Sequence, residues 1–171
     1  MTYNDLLSTL SEDARVWIYP VDKKLTASEA LNIETSLNQF IQNWHSHGRK
    51  VTAEATILYD RFIVIGAEIP ESEISGCGID ASVHAVEAIG NQSGFSVLTG
   101  LTVFFKDQNG SIQHVTRSQF RSSVRNGEIT GDTLVIDPSI TQISQLKEGS
   151  FEVPAGSSWH ATVFRIPPKT N

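Results

Sequence analysis

Val51-Thr52-Ala53-Glu54-Ala55-Thr56-Ile57-Leu58-Tyr59-Asp60-Arg61-Phe62-Ile63-Val64-Ile65-Gly66-Ala67-Glu68 is the stretch whose reading decides the fold. It is dense in β-branched and aromatic residues, a composition that suits a pleated, half-buried surface. Only Tyr59-Asp60-Arg61 interrupts it. The run therefore reads as two antiparallel strands, 51–58 and 62–68.

Upstream lies the clearest helix signal. Thr26-Ala27-Ser28-Glu29 is a capping-box pattern, in which hydroxyl and carboxylate satisfy each other's free amides. Ile33, Leu37, Phe40, Ile41 and Trp44 follow at helical spacing, and Gly48 is a natural terminator, which predicts a helix over 27–47. Val16-Trp17-Ile18-Tyr19-Pro20-Val21 reads as a strand before it, and 4–12 as a short helix carrying Leu6, Leu7 and Leu10. Downstream, Pro70-Glu71-Ser72-Glu73 is loop. A second helix is expected over 80–89, with Asp80 as N-cap, Ile79, Val83 and Val86 facing inward and Gly90 closing it. Leu101–Phe105 is a strand, Asp107-Gln108-Asn109-Gly110 a turn, and Ile112–Thr116 the return.

The order is β-α-β-β-α-β, the ferredoxin-like sequence of elements, which places two helices on one face of an antiparallel sheet. The tail adds a helix at 117–126, a strand at 133–136, an Asp137-Pro138 break, a short helix at 139–147 and a final strand at 159–166. The expected fold is α+β: one domain over 1–171, with a ferredoxin-like core at 15–116 and a C-terminal extension at 117–166 packed on it.

Composition excludes several function classes. Of 171 residues, 39% are hydrophobic, enough for a real core and too many for a disordered chain. The net charge of −6 argues against broad nucleic-acid or anionic-membrane binding, which depends on clustered Lys and Arg. A single cysteine cannot form an intrachain disulfide, so a reducing compartment fits. Met1–Leu7 lacks a basic n-region and no apolar run approaches the roughly 18 residues of a membrane span. A cytoplasmic protein without membrane contact is the expectation.

Three features carry candidate chemistry. The first is Ser75-Gly76-Cys77-Gly78-Ile79-Asp80, running into His84. A thiol close to a helix N-terminus sits in a field that favours thiolate, and His47 or His84 are the bases to test. The ordinary reading of such a cysteine is a small side chain in a tight loop. The second is the end of the first helix, where Trp44, His45 and His47 crowd the base of the apolar stripe. Two histidines two positions apart on a helix diverge by about 200°, a poor metal pair. No metal and no cofactor is expected. The third is Arg117, Arg121 and Arg125, at i, i+4 and i+8 with no acidic residue between them and His114 just upstream. Like charges at that spacing repel, so an anionic partner would relieve a cost. Pairing with the protein's own carboxylates would relieve it equally. Trp159 and His160 alternate across the expected last strand as packing residues, and Asp132 and Asp137 fall too far apart in orientation to form a catalytic pair.

Phe40-x-x-x-Trp44-x-x-His47-Gly48 followed by Ser75-Gly76-Cys77-Gly78-Ile79-Asp80 resembles a small bacterial family of unassigned activity, mainly from Bacteroidetes, over residues 14–165. Its members often carry the automatic label "ABC transporter ATPase". That label implies a phosphate-cradling G-x-x-x-x-G-K-[ST] loop, yet this chain contains no Gly-Lys pair and no Leu-Ser-Gly-Gly-Gln signature. The resemblance therefore implies a family and no activity.

The leading expectation is a non-catalytic binding or interaction module. Its site would lie near the 75–84 loop and the 44–48 helix end, drawing on Trp44, His47, Ser75, Gly76, Gly78 and Asp80. Its partner would be a small anionic ligand or a protein, and a homodimer is compatible with the architecture. The first alternative is a thiol-dependent enzyme with Cys77 as nucleophile and His47 or His84 as base. The second is an RNA- or phosphate-binding accessory protein using Arg117, Arg121 and Arg125.

Overall fold

The computed structural model describes residues 3–168. Its elements are β1 (Arg15–Pro20), α1 (Ala27–Gln42), β2 (His45–Ser46), β3 (Arg49–Lys50), β4 (Thr52–Leu58), β5 (Phe62–Glu68), α2 (Gly76–Ser93), β6 (Thr102–Lys106), β7 (Ile112–Thr116), α3 (Arg117–Arg125), β8 (Leu134–Ile136), α4 (Ile143–Lys147), β9 (Glu152–Pro154) and α5 (Trp159–Phe164). Short 3-10 turns add Tyr3–Asp5 and Ala155–Ser157. These elements form two compact units. The first holds the described residues up to Leu98 together with Pro138–Glu148, and the second holds Thr99–Asp137 together with the described residues from Gly149 onward.

The first unit is built on an antiparallel sheet in the order β1-β5-β4. β5 is central because its side chains are apolar on both faces, and both faces are covered. Ile63, Ile65 and Ala67 pack with Ile33 and Leu37 of α1 and Val86 and Ile89 of α2. On the opposite face Gly66 admits the N-terminal segment, since a Cβ there would lie 2.8 Å from the methyls of both Leu7 and Leu10. Both strands expected over 51–68 are present, and so is the capping box: Glu29 N donates to Thr26 Oγ1 and Thr26 N to Glu29 Oε2.

The four-stranded ferredoxin-like sheet expected from the element order does not form as read. The strand expected at 101–105 leaves this unit. The chain beside β1 is instead Ser96–Leu98, held by a Val21–Val97 bridge and by Asp22 N to Ser96 O and Leu98 N to Pro20 O bonds. The reason is the length of α2. It runs to Ser93 and ends on Gly94 in the left-handed region, which leaves too few residues for a full strand before the next unit begins. Gly90, expected as the terminator, is an interior residue. A Cβ there would lie 2.8 Å from Phe95 O, so glycine permits the close return of the chain.

The second unit is an antiparallel sheet in the order β7-β6-β8-β9, with β6 paired to β7 and β8. Phe120 of α3 packs its buried ring on Val103, Val135 and Phe164. Residues 159–166, expected as a strand, form α5 instead. Ser158 caps it by accepting from His160 N, and Arg165 closes it in the left-handed region. Its β-prone composition yields to burial, because His160 and Phe164, four apart, reach the core only from one helical face. The last strand is β9, three residues ending at Pro154 on the sheet's edge, where the missing N–H costs no ladder bond. The helix expected at 139–147 is shortened to α4, and the one at 4–12 to the Tyr3–Asp5 turn.

Candidate functional site

The first region to weigh is the start of α2. Ser75, not Asp80, is its N-cap: Ser75 Oγ accepts from Gly78 N at 3.1 Å. Cys77 therefore lies inside the first turn rather than ahead of the helix, and it is exposed. Asp80 is also exposed on the helix surface. α1 ends at Gln42, so His45 and His47 are not in its last turn. Lys50 Nζ donates to the terminal carbonyls of Ile41 and Gln42, closing the helix early. The chain then turns back as a small hairpin, with His45 paired to Lys50 and Ser46 to Arg49. His47 (φ 49°) and Gly48 (φ 73°) form its two-residue loop, the left-handed pair that such a connection requires.

This hairpin latches onto α2. Ser75 N donates to Ser46 Oγ at 2.9 Å, and the Ser46 and Ser75 hydroxyls lie 2.8 Å apart. Trp44 is buried and its Nε1 donates to Gly78 O at 3.0 Å. Gly78 makes the approach feasible, since a Cβ there would meet Ile74 Cγ2 at 2.8 Å and Ser46 Oγ at 3.0 Å. Trp44, Ser75 and Gly78 are thus brought together, but with one another. Both hydroxyls of the latch and the Trp44 indole N–H have a partner within the protein.

The candidate thiol chemistry is not assembled here. Among the described residues, no hydrogen bond joins Cys77 to His47 or His84. His84 is seven residues along the same helix, about 10 Å up its axis, beyond direct proton transfer. All three side chains are exposed. No group of three His, Cys, Asp or Glu among the described residues could hold a metal ion.

The second region lies in the second unit, where α3 meets α5. Phe120 is the pivot, 4.8 Å from Phe164 and 6.0 Å from His160 between ring centroids. Four residues advance a helix by about 40° beyond a full turn. The arginine row therefore drifts away from the core side as it rises. Arg117 stays beside α5, with its guanidinium carbon 5.9 Å from the Trp159 ring centroid, and Nη2 donates to Gly100 O at 3.2 Å. Arg121 lies 5.6 Å from the Phe164 ring. Arg125 is exposed and has no ring contact or ion pair among the described residues.

Trp159 is the residue that sequence reasoning misplaced. It is 38% exposed, yet held rigidly: its ring stacks on His160 at 3.8 Å and Nε1 donates to Asp137 Oδ2 at 3.0 Å. His160 is only 1% exposed and hydrogen-bonds through Nδ1 to Ser158 Oγ at 3.0 Å. Burial pushes its pKa down to about 4, Asp137 opposes that shift and Arg117 adds to it. Val163, one turn beyond Trp159, is 44% exposed, and Leu101, whose carbonyl accepts from Arg117 N, is 69% exposed. The sequence signal for this helix was Ser157-Ser158 ahead of Trp159, a cap pattern that alternating polarity obscured.

Electrostatics separate the two units sharply. By sequence the first carries seven basic and fourteen acidic side chains, the second six basic and five acidic. Among the described residues, no carboxylate ion-pairs with Arg117, Arg121 or Arg125, whereas Lys23–Glu29, Lys24–Asp60 and Lys106–Glu152 do pair. Asp137 brings a carboxylate to this cluster, where it accepts from Trp159 Nε1, but it makes no ion pair with the three arginines.

Two of the open clefts among the described residues, one in each unit, are lined by charged side chains. One of about 680 Å³ in the second unit is lined by Lys106, Asp107, Glu128 and Asp132 among others. Asp107 there is consumed by its own turn, accepting from Gln113 Nε2, Ser111 N and Asn109 N, which holds its carboxyl below the usual range. The other, of about 330 Å³ in the first unit, is lined by Asp13, Arg15 and Glu68 among others. Among the described residues, no helix is long and apolar enough to cross a membrane. No known protein family, curated protein or solved structure matches the chain.

Proposed function

We propose that this chain is a non-catalytic cytoplasmic binding module that engages an anionic partner through Arg117, Arg121 and Trp159 on the α3–α5 face. The observation that carries the reading is a pair of arginines whose guanidinium carbons lie 5.9 Å and 5.6 Å from the Trp159 and Phe164 ring centroids, without an ion-paired carboxylate among the described residues. Arg117 spends one N–H on Gly100 O, and the remaining guanidinium N–H groups of the pair suit a carboxylate or phosphate. The site expected at the 75–84 loop gives way to this face because the polar groups of the latch are spent on one another. We also read the first unit as a ferredoxin-like arrangement with its fourth strand reduced to 96–98. The order β1-β5-β4, with α1 and α2 on one face, supports that reading.

The test is an NMR titration of the three tryptophan indole N–H signals with inorganic tripolyphosphate and with citrate. The Trp159 signal should move saturably while those of Trp17 and Trp44 stay fixed, and Arg121→Glu should abolish the movement. Three signals that stay still, or move alike, would reject the reading.

A further inference from the structure

We infer that the partner of the α3–α5 face is an acidic protein segment with an apolar side chain set among its carboxylates. The inference rests on the anion-binding reading above and narrows it. Three observations choose the class. First, the arginines border α5: Arg117 lies by the Trp159 ring and Arg121 by that of Phe164, and the part-exposed Trp159 and Val163 stand four residues apart on one side of that helix. Of the large hydrophobic side chains exposed on the described residues, Leu101, Trp159 and Val163 fall in this unit, against Leu31 and Tyr59 in the other. A phosphate chain has nothing to offer such side chains, whereas a peptide can bury one against them.

Second, single-stranded nucleic acid binds through aromatic rings whose faces are open to bases. The Trp159 ring already carries His160 stacked at 3.8 Å, and Arg117 lies over it, so a base would have to displace the guanidinium. Third, a rigid Trp flanked by Arg is the composition that concentrates energy in protein–protein contacts. Taken by itself this unit is near neutral, six basic against five acidic side chains, so its own charge does not oppose an acidic partner.

Four probes test it on the full chain: an Asp/Glu decapeptide with a central Leu, an all-Glu decapeptide of equal charge, an oligouridine of equal charge, and tripolyphosphate. The Leu peptide should bind about tenfold tighter than the all-Glu peptide, the gain expected from burying one such side chain. Val163→Ser should erase that gain while leaving all-Glu binding intact, and Arg121→Glu should weaken both. Oligouridine binding as tightly as the Leu peptide, or equal affinity for the two peptides, would overturn the inference. If tripolyphosphate binds and neither peptide does, the inference fails and the anion site stands. If none of the four binds, both fail.

Discussion

The N-terminus of α2 and the α3–α5 face look equally eventful in the sequence, one for its cysteine between glycines, the other for its arginine row. Folded, they are opposites. At α2 the noteworthy residues turn inward on one another: Ser46 with Ser75, Trp44 with Gly78, glycine where a side chain would collide. On α3 and α5 the polar groups are only half used. Asp137 and Ser158 fix Trp159 and His160, but no carboxylate of the described residues pairs with the guanidinium groups. Unusual residues that satisfy each other are architecture. Unusual residues that are held rigid and left partly unsatisfied are where a partner belongs.

The largest effect expected from breaking this contrast is at Trp44. Trp44→Ala removes a buried ring that packs at 5.1 Å from Phe40 and 6.2 Å from Trp17, and it strips Gly78 O of its indole donor. The expected cost is about 3–5 kcal/mol, read from urea or guanidinium unfolding. Trp44→Phe keeps most of the apolar surface and should cost about 1 kcal/mol, isolating the lost hydrogen bond. A Trp44→Ala cost below about 1 kcal/mol would mean that the latch does not organise the start of α2.

The next effect belongs to the other region and appears with pH. Folding lowers the His160 pKa from 6.5 to about 4, chiefly by burial. Above pH 6.5 the imidazole is neutral in both states and its burial is fully tolerated. As pH falls from 6.5 toward 4, the unfolded chain takes up a proton that the folded chain refuses, so stability declines and the decline flattens below 4. The loss attributable to His160 should be roughly 2 kcal/mol, allowing for residual solvation. His160→Phe should flatten that window while the rest of the pH profile persists. Stability that is level between pH 6.5 and 4 in both proteins would show that the His160 environment is wetter than the packing of Phe120 and Phe164 implies.

Much of this was legible in advance, for identifiable reasons. The 51–68 hairpin announced itself because β5 is buried on both faces and must be apolar throughout. The capping box at Thr26 and Glu29 is local chemistry, readable from four residues. The arginine row was visible as well, but not its drift, nor that Arg117 and Arg121 lie against rings. α5 was hidden because Trp, Thr, Val and Phe favour strands, and only burial of His160 and Phe164 decides for a helix. The end of α1 was hidden because Ile41 and Trp44 continue the helical stripe, while the carbonyl partner that closes it, Lys50, comes from beyond the turn. The fourth strand went astray for a similar reason: Gly90 looks like a terminator, and nothing local says that it serves the approach of Phe95.

The smallest effects sharpen the contrast most, because they pit neighbours against each other. Ser75 and Cys77 are two residues apart at the same helix end. Ser75→Ala removes the N-cap and half of the hydroxyl pair with Ser46, so it should cost about 1 kcal/mol. For a chain of this size that is a fall in melting temperature of about 2–4 °C. Cys77→Ser alters an exposed side chain with no hydrogen-bond partner among the described residues, and should change stability by no more than about 0.5 kcal/mol. Neither change should disturb the response of the Trp159 indole to anions. The reverse order, Cys77→Ser harmful and Ser75→Ala silent, would return the thiol to the centre of the molecule's chemistry. The latch would then have to be counted as scaffolding for Cys77 rather than as an end in itself.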